Sequence, residues 1–185
     1  MSANHQQQAA TQTADKILKG LQAEMGFVPN LFECLRDAPN VLATFMVMNQ
    51  VLAQSSLSDT ECDVVLLTVS RANDCAYCVA GHSTLATRSG MAPDMVRALR
   101  EGKPLGMASL EALRAFAQAL TEDKGHDCQA AYHRFLQAGY SIRQAQEVIL
   151  AISLKTLSNT TATLFRLPLD PAFEEQRWHR LSDAA

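Results

Sequence analysis

The fold is decided by one stretch of sequence, residues 57–84, which reads LSDTECDVVLLTVSRANDCAYCVAGHST. Ser58 followed three residues later by Glu61 is the capping-box pattern, which marks the start of a helix. Asn73-Asp74 ends that helix, and a second helix is predicted over residues 76–89. Apolar residues recur at helical spacing on both sides of the break, and the alternation typical of a β-strand is absent. The stretch therefore predicts two consecutive helices joined by a short break.

The same helical spacing extends outward from this stretch in both directions. Further helices are predicted to begin near Ala14, Leu31, Pro39, Pro93, Ser109, Ala130 and Ser141. The predicted fold class is all-α, with one helical domain over residues 14–167. The polar residues 1–13 lack large apolar side chains and are expected to form a flexible tail. Residues 168–185 are expected to form an extension that could pack at a subunit interface.

Two segments of the chain align without gaps. Residues 58–70 read SDTECDVVLLTVS and residues 141–153 read SIRQAQEVILAIS. Continued onward, the same offset places Ser158, Thr161 and Phe165 opposite Cys75, Cys78 and His82. The pattern is consistent with an internal duplication of a helical unit in which the first copy alone carries chemistry. Shared composition of two buried helices explains it equally well, and both helices are expected to be central.

Composition excludes several classes of protein. The 185 residues are 48% hydrophobic and carry a formal net charge of −3, which argues against a nucleic-acid partner. No apolar run is long enough to cross a membrane, and the Gln-rich N-terminus does not resemble a signal peptide, so we expect a cytoplasmic protein. Five cysteines in a reducing compartment cannot form a complete disulfide framework. Cys75 and Cys78 stand out because they form a C-x-x-C pair.

Cys75, Cys78 and His82 lie at positions i, i+3 and i+7, on one face of the predicted second helix. Two effects compete over which sulfur is the nucleophile. The helix N-terminus favours a thiolate at Cys75, whereas His82 is four residues from Cys78 and can reach that sulfur directly. Cys75 is two turns from His82, about 10 Å along the axis, which is too far for a hydrogen bond. We favour Cys78 as the nucleophile and Cys75 as the resolving thiol.

Asp63 is the candidate partner of His82. If the chain reverses at residues 73–74, a residue about ten positions before the break comes level with His82. Asp63 meets this condition, and its carboxylate would orient the imidazole directly or through a water. Glu61 and Asp59 are alternatives, but they lie at the helix start, where capping explains them. An exposed helix acid is the competing interpretation of Asp63.

Other sites can be built on the same cysteine pair. A metal held by Cys75, Cys78 and His82 is one alternative, but a closed zinc site needs four ligands and a second ligand pair is not evident. Covalent haem attachment requires histidine directly after the second cysteine, and Val79 is there instead. A thioredoxin-type site expects a βαβ setting. Thiol redox chemistry is the interpretation that we favour, with no metal and no cofactor.

Residues 57–84 resemble the AhpD-like alkylhydroperoxidases of the carboxymuconolactone decarboxylase superfamily. Other stretches with the same resemblance are GFVPNLF at residues 26–32, GH at residues 125–126 and AGYS at residues 138–141. The order of these motifs looks like the peroxidase-related branch, and the resemblance spans residues 15 to 165. It implies an all-helical domain, a homo-oligomer (trimer or hexamer) and thiol peroxidase activity.

The resemblance also assigns roles to the motif residues. It implies that Cys78 is the peroxidatic cysteine, that Cys75 resolves and that His82 belongs to a proton relay with an upstream acid. The family has glutamate where this chain has Asp63, which is one methylene shorter, and Tyr77 replaces a histidine of the best-characterised subfamily. The decarboxylase branch lacks the cysteine pair, so lactone decarboxylation is not expected.

The sequence therefore predicts a thiol-dependent peroxidase that uses Cys78, Cys75, His82 and Asp63. Its expected partners are a hydroperoxide substrate and an external thiol reductant. One alternative is a helical oligomer that senses redox state through the same disulfide without fast turnover. The metal-binding protein described above is the other.

Overall fold

The structure, a computed structural model, describes residues 3–179 of the chain. These residues form α-helices and one short 3-10 helix, with no β-strand among them, so the prediction of an all-α fold is confirmed. The α-helices are α1 (Ala3–Met25), α2 (Asn30–Leu35), α3 (Pro39–Ala53), α4 (Asp59–Ala72), α5 (Ala76–Arg88), α6 (Pro93–Glu101), α7 (Ala108–Glu122), α8 (Gln129–Gln137) and α9 (Ile142–Leu164). The 3-10 helix spans Pro171–Gln176.

Helix α1 differs from its prediction at its N-terminal end. It begins at Ala3, inside the segment 1–13 for which we predicted a flexible tail. That segment is rich in alanine and glutamine, both of which have high helix propensity even where no apolar face is present to pack. Residues 1–2 of the predicted tail and residues 180–185 of the predicted extension lie outside the described part of the chain.

The described residues divide into two compact units, with the boundary inside α3, after Val51. The first unit has its own apolar core, to which α1, α2 and α3 each contribute. Phe32 and Phe45 lie with ring centroids 5.8 Å apart, and Arg36 forms an ion pair with Asp15 at 2.9 Å. The buried residues of this core are Ala14, Leu18, Leu21, Leu31, Leu35, Leu42 and Phe45.

In the second unit, α4 is the central helix. It packs against α5, α6, α7 and α9, and for this reason it is apolar on most of its sides. Side chains that are fully excluded from solvent come from α4, α7 and α9 and include Val64, Val65, Leu67, Val69, Leu113, Val148 and Leu154. The two helices that the sequence predicted to be central, α4 and α9, therefore both contribute to this core.

Helices α4 and α9 begin in the same way and end differently. Ser58 with Glu61 and Ser141 with Gln144 each form a complete capping box. Helix α4 ends at Ala72, and Asp74 takes a left-handed backbone conformation (φ 51°) in the break before α5. Helix α9 has no such break and is 23 residues long. Because α9 continues past the position that corresponds to the break after α4, its C-terminal half lies beside α5 and supplies side chains to the thiol pair. No helix within residues 3–179 has the length and apolar character that a membrane span requires.

Candidate active site

The start of α5 positions the two thiols. Cys75 is the N-cap residue of this helix, and its Sγ accepts a hydrogen bond from the backbone N–H of Cys78 at 3.3 Å. Side-chain oxygens of Ser, Thr, Asp or Asn usually hold this position, so the sulfur takes over a capping function. Both cysteines are buried, with exposed fractions of 2% and 3%. In the structure the two cysteines lie one turn apart at a helix N-terminus, as predicted.

The two thiols differ in acidity. Burial raises the pKa of Cys78, but a hydrogen bond from Cys75, the charge of Lys155 and the amide of Asn159 all lower it, and the pKa falls to about 6. The pKa of Cys75 is raised, because its S–H donates to the Cys78 sulfur and because it is buried beside that negative charge. A pair with this asymmetry holds a thiolate on Cys78 and a proton on Cys75 at neutral pH.

His82 lies on the same helix, and its hydrogen-bond partner comes from α9. Its Nε2 is 2.8 Å from the Nζ of Lys155. Because an ammonium group only donates, Nε2 accepts and Nδ1 carries the ring proton. Burial and the neighbouring charge of Lys155 hold the pKa of His82 well below its ordinary value, so the imidazole is neutral. The direct contact between His82 and Cys78 that the spacing allowed is replaced by this link to Lys155.

Asn159, one turn after Lys155 on α9, forms the remaining polar wall. Its Oδ1 accepts a hydrogen bond from Asn73 Nδ2 at 2.9 Å, which fixes the orientation of the amide. Its buried Nδ2 has no hydrogen-bond partner of ordinary geometry among the described residues, although its presence lowers the pKa of Cys78. A buried, oriented and unused N–H donor beside a thiolate can stabilise negative charge that develops there.

Asp63 does not meet His82 in this structure. Its Oδ2 accepts a hydrogen bond from Ser89 Oγ at 3.2 Å, at the C-terminal end of α5. Ser89 is seven residues beyond His82, which is about 10 Å along a helix axis. The register between α4 and α5 therefore carries Asp63 past the imidazole. Burial raises the pKa of Asp63.

The two alternative acids, Glu61 and Asp59, lie at the start of α4. The carboxylate of Glu61 accepts hydrogen bonds from the backbone N–H and the hydroxyl of Ser58 in the capping box. Asp59 lies in the first turn of α4, as its sequence position indicated. A relay from any of the three predicted acids to His82 therefore has no contact to support it in this conformation.

The C-terminal segment packs on α5 behind the motif. Tyr77 donates a hydrogen bond to Asp170 Oδ2 at 2.6 Å, and the Tyr77 and Phe173 rings meet edge to face at 6.1 Å. Phe173 also lies against Gly81, where an added Cβ would be 3.4 Å from the ring. Tyr77 is thus both an aromatic wall of the site and an anchor for residues 170–173. This part of the predicted extension packs within its own chain.

The remaining candidates from the sequence do not join the site. Cys34, Cys62 and Cys128 are free thiols, and Cys128 is the N-cap residue of α8. His126 lies in the exposed turn between α7 and α8, where its backbone N–H bonds Asp123. Within residues 3–179, no three His, Cys, Asp or Glu side chains are grouped so that they could hold a metal ion.

The sequence interpretation missed Lys155 and Asn159. Lysine within a long helix usually faces solvent, and neither residue belongs to a short motif. One signal was available: Lys155 is the single basic residue of α9 between Arg143 and Arg166, and it falls on the stripe of buried positions that contains Ala151 and Ala162. A charged side chain on a buried stripe indicates a functional role or a buried partner.

Comparisons with known proteins agree with this fold. Residues 39–122 match the model of the carboxymuconolactone decarboxylase family. A solved structure from Ralstonia eutropha JMP134, described as the alkylhydroperoxidase AhpD core of an uncharacterized peroxidase-related protein, superposes with a TM-score of 0.78 at 21% identity over 86% of each chain. An uncharacterized peroxidase-related protein from Silicibacter sp. TM1040 gives 0.75 at 21% identity, over 86% of this chain and 85% of its own.

A third similar structure carries a different description. It is the debrominase Bmp8, with a TM-score of 0.74 at 19% identity over 95% of this chain and 93% of its own. A comparison with curated protein sequences gives no match. At these identities the solved structures establish the fold, and the family model adds the sequence relationship. The similarity of residues 39–122 to the carboxymuconolactone decarboxylase family and the AhpD-like fold of the chain together support the AhpD-like and carboxymuconolactone decarboxylase superfamily.

Proposed function

We propose that the protein is a thiol-dependent peroxidase in which Cys78 attacks a hydroperoxide. The observation that carries the proposal is the buried thiol pair, in which the pKa of Cys78 is lowered to about 6 and that of Cys75 is raised. A thiolate reacts with peroxides and a thiol does not, so the low pKa keeps Cys78 in its reactive form at neutral pH.

In the first step the Cys78 thiolate attacks the terminal oxygen of R–O–O–H. The O–O bond breaks, Cys78 becomes a sulfenic acid and the alkoxide RO⁻ leaves and takes up a proton to form ROH. Lys155 and His82 supply that proton, since Nζ and Nε2 are 2.8 Å apart and Lys155 is close enough to Cys78 to lower its pKa. The free Nδ2 of Asn159 donates to the developing negative charge.

In the second step Cys75 resolves the sulfenic acid. Its sulfur attacks the Cys78 sulfur, the S–O bond breaks, and the products are the Cys75–Cys78 disulfide and water. Cys75 retains its proton until this step because its pKa is raised. An external thiol then reduces the disulfide through a mixed disulfide and completes the cycle.

The descriptions of two structural neighbours as peroxidase-related support this assignment over the alternatives. The metal-binding alternative gains no support, because Cys75, Cys78 and His82 do not form a ligand group in the described residues. The redox-sensing alternative shares the same chemistry and differs in rate alone.

Turnover therefore decides between a peroxidase and a sensor. We expect continuous consumption of tert-butyl hydroperoxide in the presence of excess dithiothreitol, and its loss in Cys78→Ser. The Cys75→Ser variant should accumulate a sulfenic acid at Cys78 that the reagent dimedone traps. A Cys34→Ser variant serves as the matched control, because Cys34 is also a free thiol and lies outside the site. Oxidation of the pair without sustained consumption would favour the sensor.

A further inference from the structure

A cavity of about 230 Å³ opens beside the thiol pair, on the Cys75 side. Cys75 forms part of its wall, whereas Cys78 lies one turn further into α5. Ala162 and Leu167 supply apolar surface, and both pack against the two cysteines. A small molecule in this cavity therefore lies against Cys75, whereas Cys78 does not line the cavity.

This geometry matters once the disulfide has formed, and the point rests on the peroxidase function proposed above. A thiol that reduces the disulfide must attack one sulfur and expel the other. The better leaving group is the sulfur with the lower pKa, which is Cys78. Accessibility and leaving-group ability therefore agree that an incoming thiol bonds to Cys75 and releases Cys78.

The rim of the cavity carries a cation in an unusual backbone position. Arg166 follows the end of α9 with φ 48°, in the left-handed region that favours glycine. It occupies the C′ position of a Schellman motif, since Leu167 N–H bonds Ala162 C=O at 3.0 Å and Arg166 N–H bonds Thr163 C=O at 3.3 Å. A non-glycine residue held there at a steric cost points to a use for its side chain.

The guanidinium of Arg166 is available to a ligand. Among the described residues, no side chain or carbonyl forms a hydrogen bond or ion pair with it. Asp74, an acid that also lines the cavity, already has an interaction within the protein. Thr163, a residue with a hydroxyl group, also lines the cavity. A guanidinium free to bind two oxygens at once is well suited to a carboxylate.

We propose that this cavity binds the reductant of the cycle, and that the reductant is a small thiol bearing a carboxylate, which pairs with Arg166 while its sulfur faces Cys75. The thiolate R–S⁻ attacks the Cys75 sulfur, the Cys75–Cys78 bond breaks, and the products are the mixed disulfide R–S–S–Cys75 and the Cys78 thiolate. A second R–S⁻ then attacks the sulfur of the bound R group. This releases R–S–S–R and the Cys75 thiolate, which takes up a proton.

The test begins from the disulfide, which diamide forms without any peroxide. Its reduction is followed by rapid quenching and mass spectrometry with three probes: mercaptoacetate, β-mercaptoethanol and cysteamine, each rate being corrected for its thiolate fraction. In the wild type we expect the corrected rate of reduction to be highest with mercaptoacetate. In Arg166→Gly that rate should fall about fivefold, whereas the rate with β-mercaptoethanol should not change. Arg166→Lys should recover part of the rate. Because glycine suits the backbone at residue 166, this variant should fold at least as well as the wild type.

Two further variants sharpen the outcome. Asp74→Asn, which removes an acid that lines the cavity, should raise the mercaptoacetate rate and leave the β-mercaptoethanol rate unchanged. Arg97→Gln, an exposed arginine on α6, is the matched control and should change neither. Equal mercaptoacetate rates in the wild type and Arg166→Gly, or a mixed disulfide on Cys78, would overturn the docking proposal while leaving the peroxidase proposal intact. A disulfide that diamide forms but hydroperoxide does not would contradict the peroxidase function alone.

Discussion

Lys155 is a cation in the interior of a helical protein, with an exposed fraction of 3%. Within residues 3–179 it has no carboxylate partner, and the structure pairs it with the imidazole of His82. A buried ammonium without a counter-ion is costly, and a nearby thiolate is the negative charge that compensates it. The thiolate therefore compensates the buried ammonium, and the charge of Lys155 adds to the hydrogen bond from Cys75 in lowering the pKa of Cys78.

Replacing Lys155 by methionine should raise the pKa of Cys78. The side chain keeps its length and loses its charge, so we expect the midpoint of thiolate formation to move upward by about one unit. At a pH near the original midpoint, the rate with hydroperoxide should fall by about fivefold as the thiolate fraction falls. Ultraviolet absorbance of the thiolate during a pH titration measures the shift.

The control for this variant is Lys103→Met, which removes an exposed lysine paired with Glu101. It should leave the midpoint in place. A midpoint that is the same in Lys155→Met and the wild type would show that the thiolate does not depend on the buried cation.

A variant at Asp63 tests whether this residue acts in a relay with His82, as the sequence predicted, or only contacts Ser89, as in the structure. Because its carboxylate bonds Ser89 and not His82, we expect Asp63→Asn to change the peroxidase rate by no more than about twofold. A loss of about tenfold or more would favour the sequence-based relay. The same kinetic assay on His82→Gln shows how large a relay effect would be.

At the scale of elements, α5 packs against α4, α6, α9 and the 3-10 helix. Gly81 of α5 permits the close approach of the 3-10 helix, because its missing side chain leaves room for the ring of Phe173. The hydrogen bond from Tyr77 to the buried Asp170 fixes the same segment. These contacts anchor residues 170–173 to the first turns of α5, next to Cys75.

Replacing Phe173 by alanine should weaken the packing of the 3-10 helix on α5. The side chain is 4% exposed, so Phe173→Ala should lower the free energy of unfolding by about 3–5 kcal/mol. Phe165→Ala, at a phenylalanine that is 62% exposed, is the control and should cost far less. Urea denaturation of both variants measures the difference, and equal costs would show that the 3-10 helix does not support the fold.

The helices could be predicted from the sequence because their signals are local. The Ser58 and Ser141 capping boxes, the break at Asn73-Asp74 and the glycines after α5 and α8 all act within a few residues. For the site, the sequence predicted the motif of Cys75, Cys78 and His82 but not the residues that contact it. The partners of the motif come from α9, about 75 residues later, and helix register decides which of them arrive. In the structure Lys155 contacts His82, and Asp63 accepts a hydrogen bond from Ser89.

At the scale of the whole molecule, stability should depend on pH through the site. The folded-state pKa of Cys78 is lowered from an ordinary 9.0 to about 6, so its contribution is complete above pH 9.0 and is lost as the pH falls toward 6. His82 adds to this loss at lower pH, because it stays neutral when folded and is protonated below about 6.5 when unfolded. Stability of the reduced protein should therefore decline on acidification.

The slope separates the two groups. In Cys78→Ser the decline between pH 9.0 and 6 should become smaller, whereas the decline below 6.5 should remain. Urea titrations under reducing conditions at a series of pH values measure both slopes. An unchanged slope in the variant would mean that Cys78 carries no shifted pKa.

Assembly and location are also properties of the whole molecule. The homo-oligomer, trimer or hexamer, stays a prediction, as does the cytoplasmic address. Several large apolar side chains of the second unit are exposed, among them Ile142, Ile149, Leu164 and Phe165. Light scattering coupled to size exclusion gives the mass of the particle and decides between one chain and several.

Reaction of the reduced protein with a hydroperoxide shows whether Cys78 and Cys75 form a peroxide-reactive pair. Reduced protein is mixed with one equivalent of an organic hydroperoxide, quenched at short times and examined by intact mass and peptide mapping, beside Cys78→Ser. We predict rapid loss of two hydrogens, mapped to a Cys75–Cys78 disulfide, in the wild type and no consumption of peroxide by the variant. No reaction, or oxidation confined to Cys34, Cys62 or Cys128, would contradict the account.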